Sequence, residues 1–352
     1  MLGSLFLTLY CMGLLLELTK EGYGDSFSEL AEMTEIKGMK KITEWLVIGS
    51  QVGFCTNYVY FIASQMGSVV NCAKPGADAD SCWKPNIVNE DVTLWYLLPI
   101  LMLIYVPLVW IRDMEKLAFT HLISDVIILV VIVSIFVMSG KNLGETEVHV
   151  SPLFTAQFYK AIPYSAFAFE GVAVVLPLRD IVENKESYFR LVCIVVTSIA
   201  IFYIAFAEFT NLGYNFEDNK YVLITDALPS QSWFTYSLKT AFTINLFFTY
   251  PMQLAPAVTL IESFIFDEKS EATVKRMWMQ NLIRTLLVAF TITLAILIYT
   301  KISLFVEVVA AATCCPLAFT LPALFHWKLK GKAKSDLIIV ICTSVLTVFM
   351  VG

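Results

Sequence analysis

Charge is scarce in this sequence: Asp, Glu, Lys and Arg make up 15% of its 352 residues, against about 25% in a soluble globular chain. Histidine is scarcer still. Its three copies, His121, His149 and His326, sit at expected helix ends or in loops, far apart in sequence. No His/Asp cluster, Ser/His pairing or metal-ligand spacing occupies the apolar stretches, which sets aside a membrane-embedded enzyme, a metal site and a resident cofactor. No polybasic run is present, so nucleic acid is not an expected partner, and the formal net charge of −6 reflects loop residues. Repeated pore loops and polar filter motifs, the marks of a channel, are missing as well. There is no Asn-x-Ser/Thr acceptor. The first apolar stretch lacks a basic leading region and a small-residue cleavage site, so residues 1–18 read as a spanning helix.

Hydrophobic residues are in excess, at 58% with a mean hydropathy of +0.72. A soluble chain holds about 45–50%, and a surplus recurring from end to end calls for lipid as solvent. A bilayer takes about 20 apolar residues to cross. By that ruler about ten spans are expected, over 1–18, 42–69, 92–111, 117–138, 158–178, 188–212, 232–262, 277–299, 302–327 and 336–352. The fold class is therefore an all-α polytopic membrane protein, one integral domain over 1–352, with the lipid bilayer as a partner. One set of alternate loops carries most Lys and Arg, from Lys20, Lys37 and Lys40 to Lys328, Lys330 and Lys334. The other holds only Lys74, Lys84, Lys141, Lys160, Lys220 and Lys301, which places the first set in the cytosol and, with an even number of spans, both termini outside. Trp45, Trp83, Trp95, Trp110, Trp233, Trp278 and Trp327 fall near span ends as an aromatic belt. Cys72 and Cys82 share the outer loop NCAKPGADADSCW, where a local disulfide and two free thiols are both open readings.

An ionisable side chain inside a span is costly and marks a functional site or a structural pair. Lys239, Glu208, Glu307, Arg284 and Glu262 lie near span ends, where anchoring and ion pairing compete with function. Two acids lie deeper. Asp125 is about 12 Å into its helix at about 1.5 Å per residue, and Glu170 stands near the middle of 158–178. Each needs a protein-lined cavity, a bound cation or a proton, which suits proton coupling, and Asp125 has a hydrogen bond to a neighbouring helix as its structural alternative. Gly171 beside Glu170 suggests an interrupted helix, the device by which transporters free backbone groups for a ligand at mid-membrane depth. Pro251 after Thr249-Tyr250, and Pro256, free further carbonyls in span 232–262.

These stretches also carry a resemblance. Phe167-Ala168-Phe169-Glu170-Gly171 with Val174-Val175-Leu176-Pro177-Leu178 resembles the sixth-helix signature of the amino acid/auxin permease family, nearest its proton-coupled amino acid transporters. Phe247-Phe248-Thr249-Tyr250-Pro251-Met252-Gln253-Leu254 with Ile261-Glu262 is similar to the eighth helix. Leu9-Tyr10-Cys11-Met12, Gly22-Tyr23-Gly24-Asp25 and Gly53-Phe54-Cys55 resemble the second helix, the loop after it and the third helix. The resemblance runs over nearly the whole chain. It implies a LeuT-like inverted-repeat fold of the amino acid-polyamine-organocation type with eleven helices, of which this chain carries the second to the eleventh and lacks the first. Two departures stand out: Glu307 falls where the family has small residues, and Asp125 where a neutral residue is usual.

The implied function is secondary active transport of small neutral amino acids by alternating access, with H+ (or Na+) as coupling ion. The implied substrate site comprises Ser165, Phe167, Phe169, Glu170 and Gly171 from the broken helix, Thr56, Asn57 and Tyr60 from the third family helix, and Thr249 and Tyr250 from the eighth. Glu170, Asp125 and Glu307 are the candidate ion-coupling residues. The competing reading is a non-transporting amino-acid sensor, or an inactive fragment, favoured by the missing helix. Plasma membrane and lysosomal or vacuolar membrane remain equally open locations.

Overall fold

The computed structural model describes residues 1–72, 91–112, 114–145, 161–169, 171, 175–176, 178–179, 182–214, 224–228, 232–266, 273–331 and 334–351. All regular structure among them is helical. In chain order the helices are α1 (Leu2–Lys20), α2 (Phe27–Met33), α3 (Met39–Cys72), α4 (Asp91–Trp110), α5 (Met114–Glu145), α6 (Ala161–Ala168), α7 (Tyr188–Tyr214), α8 (Trp233–Ile265), α9 (Val274–Leu297), α10 (Ile302–Val309), α11 (Leu321–Lys330) and α12 (Lys334–Val351). Two π-helical turns, Ala310–Cys314 and Pro316–Thr320, join α10 to α11.

Seven helical runs among the described residues are long and apolar enough to cross a membrane: Leu2–Lys20, Met39–Val70, His121–Gly144, Tyr188–Tyr214, Trp233–Ile265, Val274–Leu297 and Tyr299–Lys330. Each matches a span expected from the sequence. Helices α4 and α12 match two more, over 92–111 and 336–352. The tenth, 158–178, is not one rod, because its helix stops at Ala168. The protein is thus an all-helical, multi-pass membrane protein. Its lipid-facing surface is legible on α7, where only 11% of the apolar window is buried, and on α5, where Leu122, Val126, Leu129 and Val133 recur on one exposed face.

The described residues form two compact units. Unit 1 is built from Met1–Ser50, Pro152–Ala205 and Leu304–Gly352, and unit 2 from Gln51–Ser151 and Phe206–Ser303. Boundaries fall inside α3, α7 and α10, so a helix can begin in one unit and end in the other.

Unit 1 packs α1, α2, α6 and the α10–α12 stretch around Cys11, Met12, Leu15, Leu18, Leu30, Leu176 and Phe325, all essentially without exposure. Small side chains make the central approach possible. Ala310 and Ala311 of the first π turn are fully buried beside α6, and a Cβ at Gly49 would come within 3.1 Å of Thr313. Tyr23, after α1, donates its hydroxyl to the Leu329 carbonyl, and Ser26 caps α2 by accepting from the Glu29 amide at 3.2 Å.

Unit 2 has two apolar centres. One gathers Cys55, Val59 and Ile62 of α3, Leu101 and Tyr105 of α4, Leu246, Tyr250 and Leu254 of α8, and Val288 and Ile292 of α9. The other joins Val131 and Ile135 of α5 to Leu228 and Leu238. Helix α5 lies along α8 and is bolted to it by polar bonds. The Asn245 amide donates to the Ser124 carbonyl and hydroxyl, both at 2.8 Å, and the Ser124 hydroxyl donates to the Asn245 carbonyl at 2.9 Å. A second fastening joins α4, α8 and α9. Arg284 reaches Glu262 at 2.8 Å and the Val109 carbonyl at 2.9 Å, while Gln280 donates to the other Glu262 oxygen at 2.9 Å. The sequence left Arg284 and Glu262 between anchor and function; the structure makes them an ion pair, with both side chains 13% exposed.

Candidate functional site

The candidate residues divide between the units. In unit 1 the break lies where the sequence places it. Helix α6 ends at Ala168, the Phe169 amide still bonds back to the Ser165 carbonyl at 3.1 Å, and the Gly171 amide turns onto the Phe169 carbonyl at 2.7 Å. That last bond spans only two residues, which is incompatible with a continuing α-helix. Ser165 is buried and its hydroxyl meets that of Ser4 on α1 at 2.6 Å. Phe169 is buried against Tyr203, with ring centroids 6.4 Å apart; Phe167 is half-buried. Gly171 is exposed, and a Cβ there would lie 3.9 Å from the Met12 methyl. Glu170 lies outside the described residues, as do the side chain of Cys72 and the whole of Cys82.

In unit 2 the candidates behave very differently from one another. Thr56 is buried and donates to the Val52 carbonyl of its own helix at 2.8 Å. Thr249 does the same to the Asn245 carbonyl at 2.9 Å and meets the Ser124 hydroxyl at 3.2 Å. Tyr250 is a core residue. Its ring stacks on Tyr105 at 4.0 Å and its hydroxyl meets Thr291 at 2.7 Å, so its polar end is spent on α9. Tyr60 is buried with its ring against Tyr299 at 5.1 Å. Asn57 stands apart: it is 1% exposed, and among the described residues neither its amide nitrogen nor its amide oxygen has a hydrogen-bond partner. A buried amide without partners carries a desolvation cost that a ligand could relieve.

Of the expected ion-coupling residues, Asp125 belongs to unit 2 and Glu307 to unit 1. Asp125 is exposed on the face of α5 that also carries Leu122, Val126 and Leu129, rather than among polar groups of unit 2. Glu307 is half-buried on α10 in unit 1.

The structure also shows buried charge that sequence reasoning undervalued. Lys239, expected near a span end, is wholly buried, and its ammonium bonds Asp226 at 2.7 Å. Gln65 of α3 donates to the same Asp226 oxygen at 3.4 Å, and its own amide oxygen is buried without a partner among the described residues. Asp226 sits in the 3₁₀ turn Ile224–Asp226, in a polar loop where the pattern gave no sign that it would be folded inward. His326, dismissed as a lone helix-end residue, bonds Asp336 at 2.6 Å. Among the described residues, no group of three His, Cys, Asp or Glu side chains is placed to hold a metal ion.

Among the described residues, the spans and the helix end at Ala168 define a helical, polytopic membrane protein with a broken span. The chain matches the transmembrane amino acid transporter protein family over residues 1–352 and belongs to that family, one of transporters and not of enzymes. It is 25% identical over 283 residues to vacuolar amino acid transporter 3 of Schizosaccharomyces pombe, covering 80% of this chain and 41% of that protein. Vacuolar amino acid transporter 4 of Saccharomyces cerevisiae is 23% identical over 354 residues, covering 93% and 47%. Amino acid transporter AVT3B of Arabidopsis thaliana is 25% identical over 289 residues, covering 81% and 65%. The chain thus spans less than half the length of these fungal relatives.

Proposed function

We propose that this chain, as one transporter domain, moves small neutral amino acids across a vacuolar-type membrane by alternating access, driven by the proton gradient. The observation that carries the reading is the helix end at Ala168 inside a spanning segment of a transporter-family chain. Backbone freed at that depth is tolerated only where it lines a cavity or is buried in protein, and in secondary transporters it contacts substrate. Asn57 supports the same reading, since its buried amide can both donate to a carboxylate and accept from an ammonium group. Glu170 is the residue proposed to carry the proton. With Na+ as coupling ion, the Thr249 hydroxyl and the carbonyls freed by Pro251 take over that role.

The test is uptake of labelled alanine, glycine and proline into proteoliposomes holding the full chain, with and without an imposed pH gradient. Gradient-driven uptake that Glu170→Gln uncouples and Asn57→Ala weakens is the expected outcome. Binding of these amino acids without any uptake overturns transport in favour of a sensor, and uptake that follows Na+ and ignores the pH gradient overturns the proton.

A further inference from the structure

Unit 1 contains a cavity of about 360 Å³ that the transport reading does not use, between the C-terminal half of α1 and the start of α7. Part of its wall is apolar: the ring of Phe189 lies over Gly13, where a Cβ would come within 3.3 Å of it. The rest is charged, with the cations Lys20, Arg179 and Lys185 against the carboxylates Glu17 and Glu186. Glu17 already takes the Lys330 ammonium at 2.5 Å, so the balance facing the cavity is positive. Arg179 is the group without an explanation. Its side chain is only 13% exposed, and its nearest carboxylate among the described residues is Asp25, 3.9 Å away on a side chain that is 61% exposed. No hydrogen bond among the described residues involves Arg179. A guanidinium carries five N–H donors in a planar fork, and taking it out of water without acceptors is costly.

The position of the cavity says what kind of anion it takes. Lys20 ends the spanning run of α1 and Tyr188 begins that of α7, so the cavity lies at a membrane surface, and the excess of Lys and Arg assigns that surface to the cytosol. From there α7 turns Leu191, Ile194 and Val195 outward, each close to half exposed. A phosphate in water could use the cations but not the apolar wall or the bare helix beyond it. A phospholipid uses all three, and basic pockets at the ends of spanning helices take lipid head groups on this principle. The arginine fork also matches two oxygens of one phosphate, which a lysine cannot do. We propose that this cavity binds the phosphate of an anionic glycerophospholipid, with Arg179 as its main ligand, Lys20 and Lys185 at the rim, and the acyl chains along the exposed face of α7. Lipid binding requires no amino-acid substrate, so the inference stands apart from transport.

The test is native mass spectrometry of the full chain released from detergent, titrated with phosphatidylserine or with phosphatidylcholine of the same acyl chains. The expected result is one retained phosphatidylserine, bound at lower concentration than phosphatidylcholine. Arg179→Gln weakens that binding about tenfold or more, as for the loss of hydrogen bonds to a charged group. Lys275→Gln, which removes an exposed cation from α9 in unit 2, leaves it unchanged. Equal binding of the two lipids overturns the anionic preference, and an Arg179→Gln chain that binds as wild type overturns the site. A second measurement needs no variant. Phosphatidylserine with a photoreactive diazirine in one acyl chain is crosslinked to the wild-type chain in phosphatidylcholine nanodiscs, and the labelled peptides are mapped. Labelling of α1 and α7 that excess phosphatidylserine displaces, and that glycerophosphoserine and inorganic phosphate do not, is the expected outcome. Labelling confined to other helices overturns the proposal, and displacement by either soluble compound overturns the lipid in favour of a free phosphate.

Discussion

Replacing Lys239 with methionine gives the sharpest test of how unit 2 is held together. The ammonium is completely buried and its partner carboxylate, on Asp226, is 16% exposed. Removing one member of a buried pair costs about 3–5 kcal/mol, because the other charge is left without compensation. The residual exposure of Asp226 points to the low end, about 3 kcal/mol for Lys239→Met. Removing both charges is a different perturbation. In Lys239→Met/Asp226→Leu no orphan remains, and such replacements are often neutral, so the double variant returns to within about 1 kcal/mol of wild type. The two sites then show a coupling of at least about 2 kcal/mol, as expected for residues in contact. Thermal unfolding at one fixed heating rate, followed in detergent by retention of the monodisperse peak, reads this as a loss of about 5 °C in the single variant and recovery in the double. Equal losses in the single and double variants refute the reasoning, because the pair is then not what the ammonium stabilises.

Asn57→Ala removes an amide that bonds nothing among the described residues. Tm should stay level or rise, while the half-saturation concentration for amino-acid uptake rises about tenfold or more, as for about 1.4 kcal/mol of lost ligand contact. Tyr250→Phe deletes one buried hydroxyl bond to Thr291 and should cost about 1 kcal/mol in stability with unchanged uptake, a result that would remove Tyr250 from the substrate site. Gly213→Ala places a Cβ 2.8 Å from the Ser139 carbonyl oxygen and 3.1 Å from its Cα, so α5 and α7 must separate there. A fall in Tm beyond the about 1 kcal/mol typical of a point change is expected.

Hydropathy carried the spans, because a run of about 20 apolar residues has few folded alternatives. Gly171 carried the break, since a glycine beside an acid in an apolar run has little reason to be there in a continuous rod. The fate of individual polar side chains was not legible. Thr249 and Tyr250 are neighbours in one stretch, yet one hydroxyl turns back onto its own helix and the other crosses to α9. That outcome depends on the facing helix, which one-dimensional pattern does not encode. Lys239 and His326 were undervalued for the same reason. Their partners Asp226 and Asp336 are acids at loop or helix boundaries, and such acids are ordinarily solvated.

Helix α7 is mostly exposed over its apolar stretch among the described residues, and its 27 residues make a rod of about 40 Å at about 1.5 Å per residue. The hydrocarbon layer it crosses is about 30 Å thick. An apolar stretch longer than the layer is accommodated by tilt or local thickening at a modest cost, so bilayer thickness acts on this helix against the packing of Tyr188 and Val192 near one end and of Phe206 and Gly213 near the other. The choice of host membrane is therefore a mechanical input to this protein: lipid chain length and sterol content act on α7, and Phe169 rests against Tyr203 of that helix.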